Sequence, residues 1–211
     1  MVDITAQEVA AGTDDTVESH GSTDWLPTHT SVPLSHHTTA SSRRSGAVRW
    51  TLDIPQGATI DSCTIDVVSN GGSNAMEFDM KAQLVENSIT PAQSFWDTGT
   101  IAQTIASVAW QPGVSLGVTE TSPDLKTILQ EIVNQAGWAS GNGVTFLFMS
   151  RNQAGASYDF ASLEHATRNA PRITVSYTAA AGGGGGGGGM HLNLPGASLG
   201  SMNLGNGDLE L

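Results

Sequence analysis

Hydrophobic and polar residues alternate along much of the chain before residue 180. Val48, Trp50, Leu52 and Ile54 are separated by polar or charged residues. Such alternation places one set of side chains on a core and the other in water, as in a half-buried β-strand. The same alternation recurs at residues 63–67, 76–84, 114–118 and 173–177. We therefore predict a strand in each of these segments.

A run with apolar residues on both faces and two turn-forming segments complete the strand prediction. Residues 144–149 are apolar on both faces of a strand, which is typical of the centre of a sheet. Residues 55–57 (Pro-Gln-Gly) predict a turn, and residues 70–72 (Asn-Gly-Gly) predict the end of a strand. The first 46 residues are polar, so we expect an irregular segment there with one strand near residues 16–20.

One segment has a helical period instead. Its apolar residues recur at intervals of three and four, which forms one stripe along a helix. They are Leu125, Ile128, Leu129, Ile132 and Val133. Ser122 can cap the amino end, Pro123 and Asp124 suit the first turn, and Gly137 can stop the helix. The expected fold is all-β: an antiparallel, jelly-roll-like β-sandwich with one covering α-helix and an extended C-terminal tail.

The composition changes sharply after the last predicted strand. Residues 182–189 are eight consecutive glycines, which predict a flexible tether. We therefore expect a sandwich at 1–180, a poly-glycine linker at 181–189 and a C-terminal peptide at 190–211. That peptide is too short for a core of its own, so it is either a loosely ordered tail or a docking peptide that orders on a partner. Its candidate docking residues are Leu192, Leu194, Leu199, Met202, Leu204, Leu209 and Leu211.

Charge and composition exclude several classes of partner. The 211 residues include 20 acidic and 8 basic side chains, which give a formal net charge of −12. Such a chain repels phosphates, so we expect neither nucleic acid nor membrane as a partner. The single cysteine, Cys63, excludes an intrachain disulfide and is expected in the core. The amino-terminal residues lack the pattern of a signal peptide, so we expect synthesis in a cytoplasm.

Three patterns resemble catalytic or metal sites. Residues 196–200 match G-x-S-x-G. A nucleophile elbow requires a histidine later in the chain, and none follows these residues. Glu77 and Asp79 share one strand face like a glycosidase pair, yet an alternating charged face is more typical of solvated sheet. A third group lies in the polar segment before residue 40 and could be solvated, bind metal or lie at a subunit interface. It contains Asp14, Asp15, Glu18, His20, His29, His36 and His37. We predict no enzyme activity and no cofactor.

Four tryptophans lie near predicted loops or strand ends. Trp25 and Trp96 are candidates for a sugar-binding platform, because sugar rings stack on exposed aromatic faces. Trp110 and Trp138 are expected to pack at the ends of the sandwich.

The order of several short segments resembles a known family. RSGAVRW at 44–50 leads to IPQGATI at 54–60, and SPDL at 122–125 leads to Trp138 and NGVTF at 142–146. FASLE at 160–164 and PRITVSY at 171–177 complete the order. Over about residues 10–178 this resembles the DNRLRE-type jelly-roll domains, which are similar to carbohydrate-binding modules and occur in secreted surface proteins and in bacteriophage structural proteins.

The resemblance implies a non-enzymatic structural protein of a bacteriophage virion, such as a capsid decoration or cement protein. Its C-terminal peptide would attach it to other virion proteins, including further copies of itself. The alternative is a glycan-binding adhesin of a phage tail or fibre, which would bind host surface glycans.

Overall fold

Antiparallel strands make up nearly all of the regular structure in the computed structural model. The model describes residues 1–19, 25–26, 29–36, 43–73, 76–91, 101–151 and 155–180. In this part of the chain the strands are β1 Val2–Glu8, β2 Asp15–Ser19, β3 Trp25–Leu26, β4 Ser31–His36, β5 Arg44–Leu52, β6 Thr59–Ser73, β7 Phe78–Ala82, β8 Val108–Trp110, β9 Thr119–Thr121, β10 Asn142–Ser150, β11 Ala156–Ala161 and β12 Arg172–Thr178. The helix α1 spans Lys126–Val133. The prediction of an antiparallel β protein with one helix is confirmed.

The strands form one curled antiparallel sheet. Their order along the sheet is β1-β12-β6-β11-β4-β5-β10-β7-β8, with β2 and β3 beside β5 and with β9 beside β6. The long strand β6 connects the β1-β12 pair to the rest of the sheet, because its first half pairs with β12 and its last residues pair with β11. The sheet curls into a half-barrel.

The predicted strand break at residues 70–72 is wrong. β6 continues through these residues to Ser73, and Gly71 adopts a positive φ of 111° inside the strand. The register with β11 shifts between Asp159 and Phe160 at the same place. The glycines therefore let the strand bend rather than end, since they tolerate a backbone conformation that other residues avoid.

The core of the sheet is rich in aromatic rings. Trp50 and Phe146 meet with centroids 6.1 Å apart, and Phe148 lies 5.1 Å from Phe160. Residues 143–149 of β10 are buried on both faces, so the prediction of a central strand is confirmed. Cys63 is also buried in this core, as expected.

The helix covers the core as its stripe predicts, but its predicted ends are wrong. Ser122 does not cap α1, because its Oγ accepts a hydrogen bond from the backbone of Ile65 in β6. Asp124 lies closer to the helix and accepts a hydrogen bond from the Lys126 N–H at 3.0 Å. The helix ends at Val133, well before the glycine that we expected to stop it.

The first 46 residues are more regular than their composition predicts. β2 confirms the strand expected near residues 16–20, but β1, β3 and β4 also lie there, and β5 begins at Arg44. β11 is a further strand that the sequence analysis did not predict. In β1, Val2, Ile4 and Ala6 alternate with polar residues, but most of its side chains are exposed, and it is held mainly by backbone pairing with β12. This short alternation was overlooked because the first 46 residues are polar as a whole.

Candidate interaction surface

The C-terminal segment begins at one corner of the sheet. β12 ends at Thr178, and its Tyr177 pairs with Val2 of β1 on one side and with Ile60 of β6 on the other. We call the place formed by Val2, Ile60, Tyr177 and Thr178 the exit corner. Any peptide that follows Ala180 therefore starts near the outer margin of the sheet.

β1 forms the margin of the sheet at the exit corner. Among the described residues it pairs with β12 alone. Opposite residues of an antiparallel pair point to the same face, so Ile4 points inward like its buried partner Val175. Val2, two residues earlier, shares this face, but it is 47% exposed. The inner face of the sheet is thus only partly covered along β1.

A bulge limits the regular part of β1 to its first residues. The register with β12 shifts between Ile4 and Gln7, and Ala6 has a positive φ of 45°. The Ala6 N–H donates a hydrogen bond to the Thr174 Oγ1 at 3.1 Å. Beyond the bulge, the Gln7 side chain donates to the Thr51 carbonyl at 2.9 Å, which ties this end of β1 to β5. The straight segment next to the exit corner is therefore residues 2–4.

An open groove of about 420 Å³ adjoins the exit corner. It is lined by Ile60 and by one side of α1, namely Lys126, Thr127, Gln130, Glu131 and Asn134. Gln130 fixes its wall, because the amide Oε1 accepts from the Ile60 N–H at 2.8 Å and the Nε2 donates to the Ala58 carbonyl at 2.9 Å. These two hydrogen bonds fix α1 against the start of β6 and so set the position of the groove wall.

Glu131 of the same groove also holds a loop that displays an apolar side chain. Its carboxylate accepts hydrogen bonds from the Ile105 and Ala106 N–H groups, both at 2.9 Å. The Thr104 Oγ1 accepts from the Ala82 N–H at 3.1 Å, which fixes the loop to β7. Ile105 is nevertheless 90% exposed. A side chain held in this way forms an apolar projection that a protein partner could cover.

A second apolar surface lies on the loop before β9. Val114, Leu116 and Val118 were predicted to form a strand, and this prediction is wrong, because β9 begins at Thr119 and all three side chains are exposed. The loop turns at Gly117, which has a φ of +78° and donates a hydrogen bond to the Ser69 carbonyl. We call residues 114–118 the apolar loop.

Two buried carboxylates lie at the start of β2. Asp14 forms an ion pair with Arg49 at 3.3 Å, and Asp15 accepts a hydrogen bond from the Leu163 N–H at 2.7 Å. Burial, and to a smaller extent the charges of Glu164 and Asp14, raise the pKa of Asp15 to about 8. These contacts tie the start of β2 to β5 and to the segment after β11, so we assign them a structural role.

Two histidines of the histidine-rich segment, His29 and His36, lie in the described part of the chain. His36 is buried, and its Nδ1 lies 3.4 Å from the Ser150 Oγ, whereas His29 is exposed. His20 and His37 lie outside the described residues. Within the part of the chain that the structure describes, no three His, Cys, Asp or Glu side chains are placed to hold a metal ion.

Glu77 and Asp79 bind one guanidinium. Arg151 contacts the Glu77 Oε1 at 2.7 Å and the Asp79 Oδ1 at 2.9 Å. This surface ion pair joins the start of β7 to the residue that follows β10. It offers a clear structural role for the two carboxylates.

Most of the residues predicted to bind a partner lie outside the described residues. Only the backbone of Trp25 is described, and Trp96 and the peptide at 190–211, including its G-x-S-x-G segment, are not. Trp110 and Trp138 are buried, as expected. The groove, Ile105 and the open margin of β1 were not predicted, because each depends on how distant segments of the chain pair and pack.

Comparisons with known proteins add no relative. No family model matches the sequence, and no curated protein matches it. The resemblance to the DNRLRE-type domains therefore stays a prediction. In the described part of the chain, no helix is long and apolar enough to cross a membrane.

Proposed function

We propose that this chain is a non-enzymatic structural protein of a bacteriophage virion, a capsid decoration or cement protein. In this proposal the curled sheet is a jelly-roll sandwich of the DNRLRE type. Residues 190–211, which we call the C-terminal arm, bind neighbouring virion subunits, among them further copies of the chain. The order of sequence segments that resembles the DNRLRE-type domains supports the family and the virion setting.

The position at which the chain leaves the sheet is the observation that carries this proposal. The buried core comprises residues between Val9 and Tyr177, and its large side chains are almost fully buried. The chain then passes Thr178 at the exit corner, and six leucines follow in the C-terminal arm. These leucines follow a sheet that already has its own core, so binding a partner is a favourable way to remove them from water.

The exposed apolar side chains support a protein as the partner. Ile105 and Leu116 are 90% and 65% exposed, and each lies on a loop that backbone hydrogen bonds hold in place. Fixed apolar projections of this kind are typical of protein contacts. The net charge of −12 makes a nucleic acid an unfavourable partner.

The glycine tether suits such an attachment. A flexible linker of this length gives the attached peptide an effective concentration of roughly millimolar near its own domain. A weak contact by the arm is therefore sufficient once the sandwich is held near its partner.

Deletion of residues 182–211 tests the proposal. Because the described core and sheet end before this segment, the truncated protein should fold with an unchanged midpoint of thermal unfolding. Its incorporation into particles should be lost, as measured by co-sedimentation with purified particles. Normal incorporation of the truncated protein would contradict the proposal.

A matched variant separates the arm from its tether. Replacing the eight glycines at 182–189 by a Gly-Ser sequence of equal length keeps the reach of the linker. This variant should be incorporated as well as the wild type. If it fails as completely as the truncation, the glycines themselves make the contact and the role given to the leucines is wrong.

A further inference from the structure

We propose that the C-terminal arm is accepted by the outer edge of β1 in a neighbouring copy, where residues 190–194 add one antiparallel strand to the sheet. This inference rests on the proposed function, in which the arm binds another subunit. It goes further by naming the acceptor strand, the donor residues and the mode of binding.

The donor segment has the pattern of a short strand. Met190, Leu192 and Leu194 alternate with His191 and Asn193 directly after the glycine tether. Pro195 follows at once, and proline does not continue the hydrogen bonding of a strand. The segment thus provides five residues with one apolar and one polar face, which is the pattern of a half-buried strand.

The acceptor strand has the complementary arrangement. Val2 and Ile4 point to the inner face, and both are incompletely buried. Asp3 points to the outer face, like its partner Ser176. Because the described part of the chain places no strand on the other side of β1, half of the backbone polar groups of residues 2–4 point away from the sheet. An added strand would satisfy these groups.

Two registers bring the apolar side chains of the donor and the acceptor to the same face of the sheet. Since opposite residues share a face, the apolar residues of the donor cover Val2 and Ile4 only when Asp3 lies opposite a polar residue. That residue is Asn193 in one register and His191 in the other. Either residue offers a hydrogen-bond donor to the Asp3 carboxylate. The bulge after Ile4 limits the straight part of the acceptor, which matches a short donor that ends at a proline.

The position of the exit corner favours exchange between two copies. β12 ends beside the β1 strand of its own chain, because Tyr177 pairs with Val2. Two copies related by a two-fold axis near this corner would each place an arm next to the β1 strand of the other, which is the symmetric arrangement of most dimers. Eight glycines reach at most about 28 Å, and the acceptor residues 2–4 span only about 10 Å.

Disulfide trapping between two full-length variants tests the acceptor. One variant carries Asp3→Cys and the other carries Asn193→Cys, and a second pair uses His191→Cys for the alternative register. Cys63 is buried, and burial raises the pKa of its thiol, so it does not compete. A mixture of two variants with one introduced cysteine each can form this bond only between chains. We expect cross-linking in at least one pair to be about tenfold faster than in a control that pairs Asn193→Cys with Ser115→Cys on the exposed apolar loop.

Three results would overturn the inference. The first is equal cross-linking of Asp3→Cys and of the Ser115→Cys control. The second is faster disulfide formation within the single chain of the double variant Asp3→Cys/Asn193→Cys than between chains, since the arm would then bind its own sheet. The third is an equal loss of association from two double variants of the arm.

We expect Leu192→Ser/Leu194→Ser to weaken association at least about tenfold, and Leu209→Ser/Leu211→Ser to weaken it clearly less. Equal losses from both double variants would contradict the assignment of residues 190–194.

The truncation experiment separates the two proposals. If removal of residues 182–211 leaves incorporation intact, the proposed function fails. If truncation abolishes incorporation but Asp3→Cys reacts no faster than the control, the arm binds a different acceptor and only the present inference fails.

Discussion

β10 and β1 belong to one antiparallel sheet, yet they are held in different ways. β10 pairs with β5 on one side and with β7 on the other, and nearly all of its side chains are buried. β1 pairs with β12 alone among the described residues, and most of its side chains are exposed. β10 is therefore held by side-chain burial, whereas β1 is held mainly by its backbone hydrogen bonds.

This difference predicts that β10 contributes mainly to the stability of the fold and β1 mainly to association with other chains. Buried side chains contribute most of the free energy of folding, so changes in β10 should mainly alter stability. A strand with only one neighbour contributes less to stability but keeps backbone groups that can bind another strand. Changes in β1 should therefore alter association more than they alter folding.

The largest effect is expected from Phe146→Ala in β10. The Phe146 ring is fully buried and packs edge-to-face on Trp50. Its removal leaves a cavity and should lower the free energy of unfolding by about 3–5 kcal/mol, measured by urea denaturation. Phe146→Leu, which retains much of the volume, should cost clearly less. A loss below about 1 kcal/mol for the alanine variant would contradict the central role of β10.

A pH-dependent effect is expected from Asp15, a carboxylate on a buried strand beside β5. Burial raises the pKa of Asp15 from 3.8 to about 8. Between these values the folded state keeps a proton that the unfolded state releases. The stabilisation is therefore complete below about pH 3.8 and is lost as the pH rises through about 8.

The variant Asp15→Asn isolates this contribution. Asparagine is neutral at every pH and can still accept the Leu163 N–H through its amide oxygen. Its free energy of unfolding is measured in urea at several values between pH 4 and pH 8. As the pH rises over this range, the free energy of unfolding of the variant relative to that of the wild type should increase by at least about 1.4 kcal/mol, the equivalent of one pKa unit. A difference between variant and wild type that stays constant with pH would mean that Asp15 ionises normally.

The smallest effect on folding is expected from Ile4→Ala in β1. Ile4 is only partly buried and packs at the margin of the core. The substitution should lower the free energy of unfolding by about 1 kcal/mol, well below the effect of Phe146→Ala. Its association with other copies, measured by sedimentation velocity, should weaken more clearly. A loss of stability as large as that of Phe146→Ala would remove the contrast between the two strands.

The accuracy of the sequence predictions follows the same contrast. β5 and β12 were predicted because apolar residues alternate with polar ones, and β10 was predicted because its apolar residues occupy both faces, as in a central strand. β1 was missed although Val2, Ile4 and Ala6 alternate with polar residues, because this short pattern lies in a segment that is polar as a whole and its side chains are mostly exposed. The apolar loop gave a false signal, since its apolar residues alternate like a strand but remain exposed before β9 begins.

The candidate interaction surface was predicted less well than the fold. The leucines of the C-terminal arm were recognisable because six of them follow a glycine run that cannot form a core. The groove beside α1 depends on Gln130 and Glu131 contacting residues far from them in the chain. Contacts of this kind depend on the final packing of distant segments, so no local pattern of residues indicates them.

The pattern of apolar and polar residues was enough to predict an antiparallel β protein with one amphipathic helix, because such a pattern is a local property of the chain. It did not show which strand lies at the margin of the sheet or where the chain leaves it. Both depend on the order in which distant strands pair, and strand pairing is made by backbone groups that nearly all residues share.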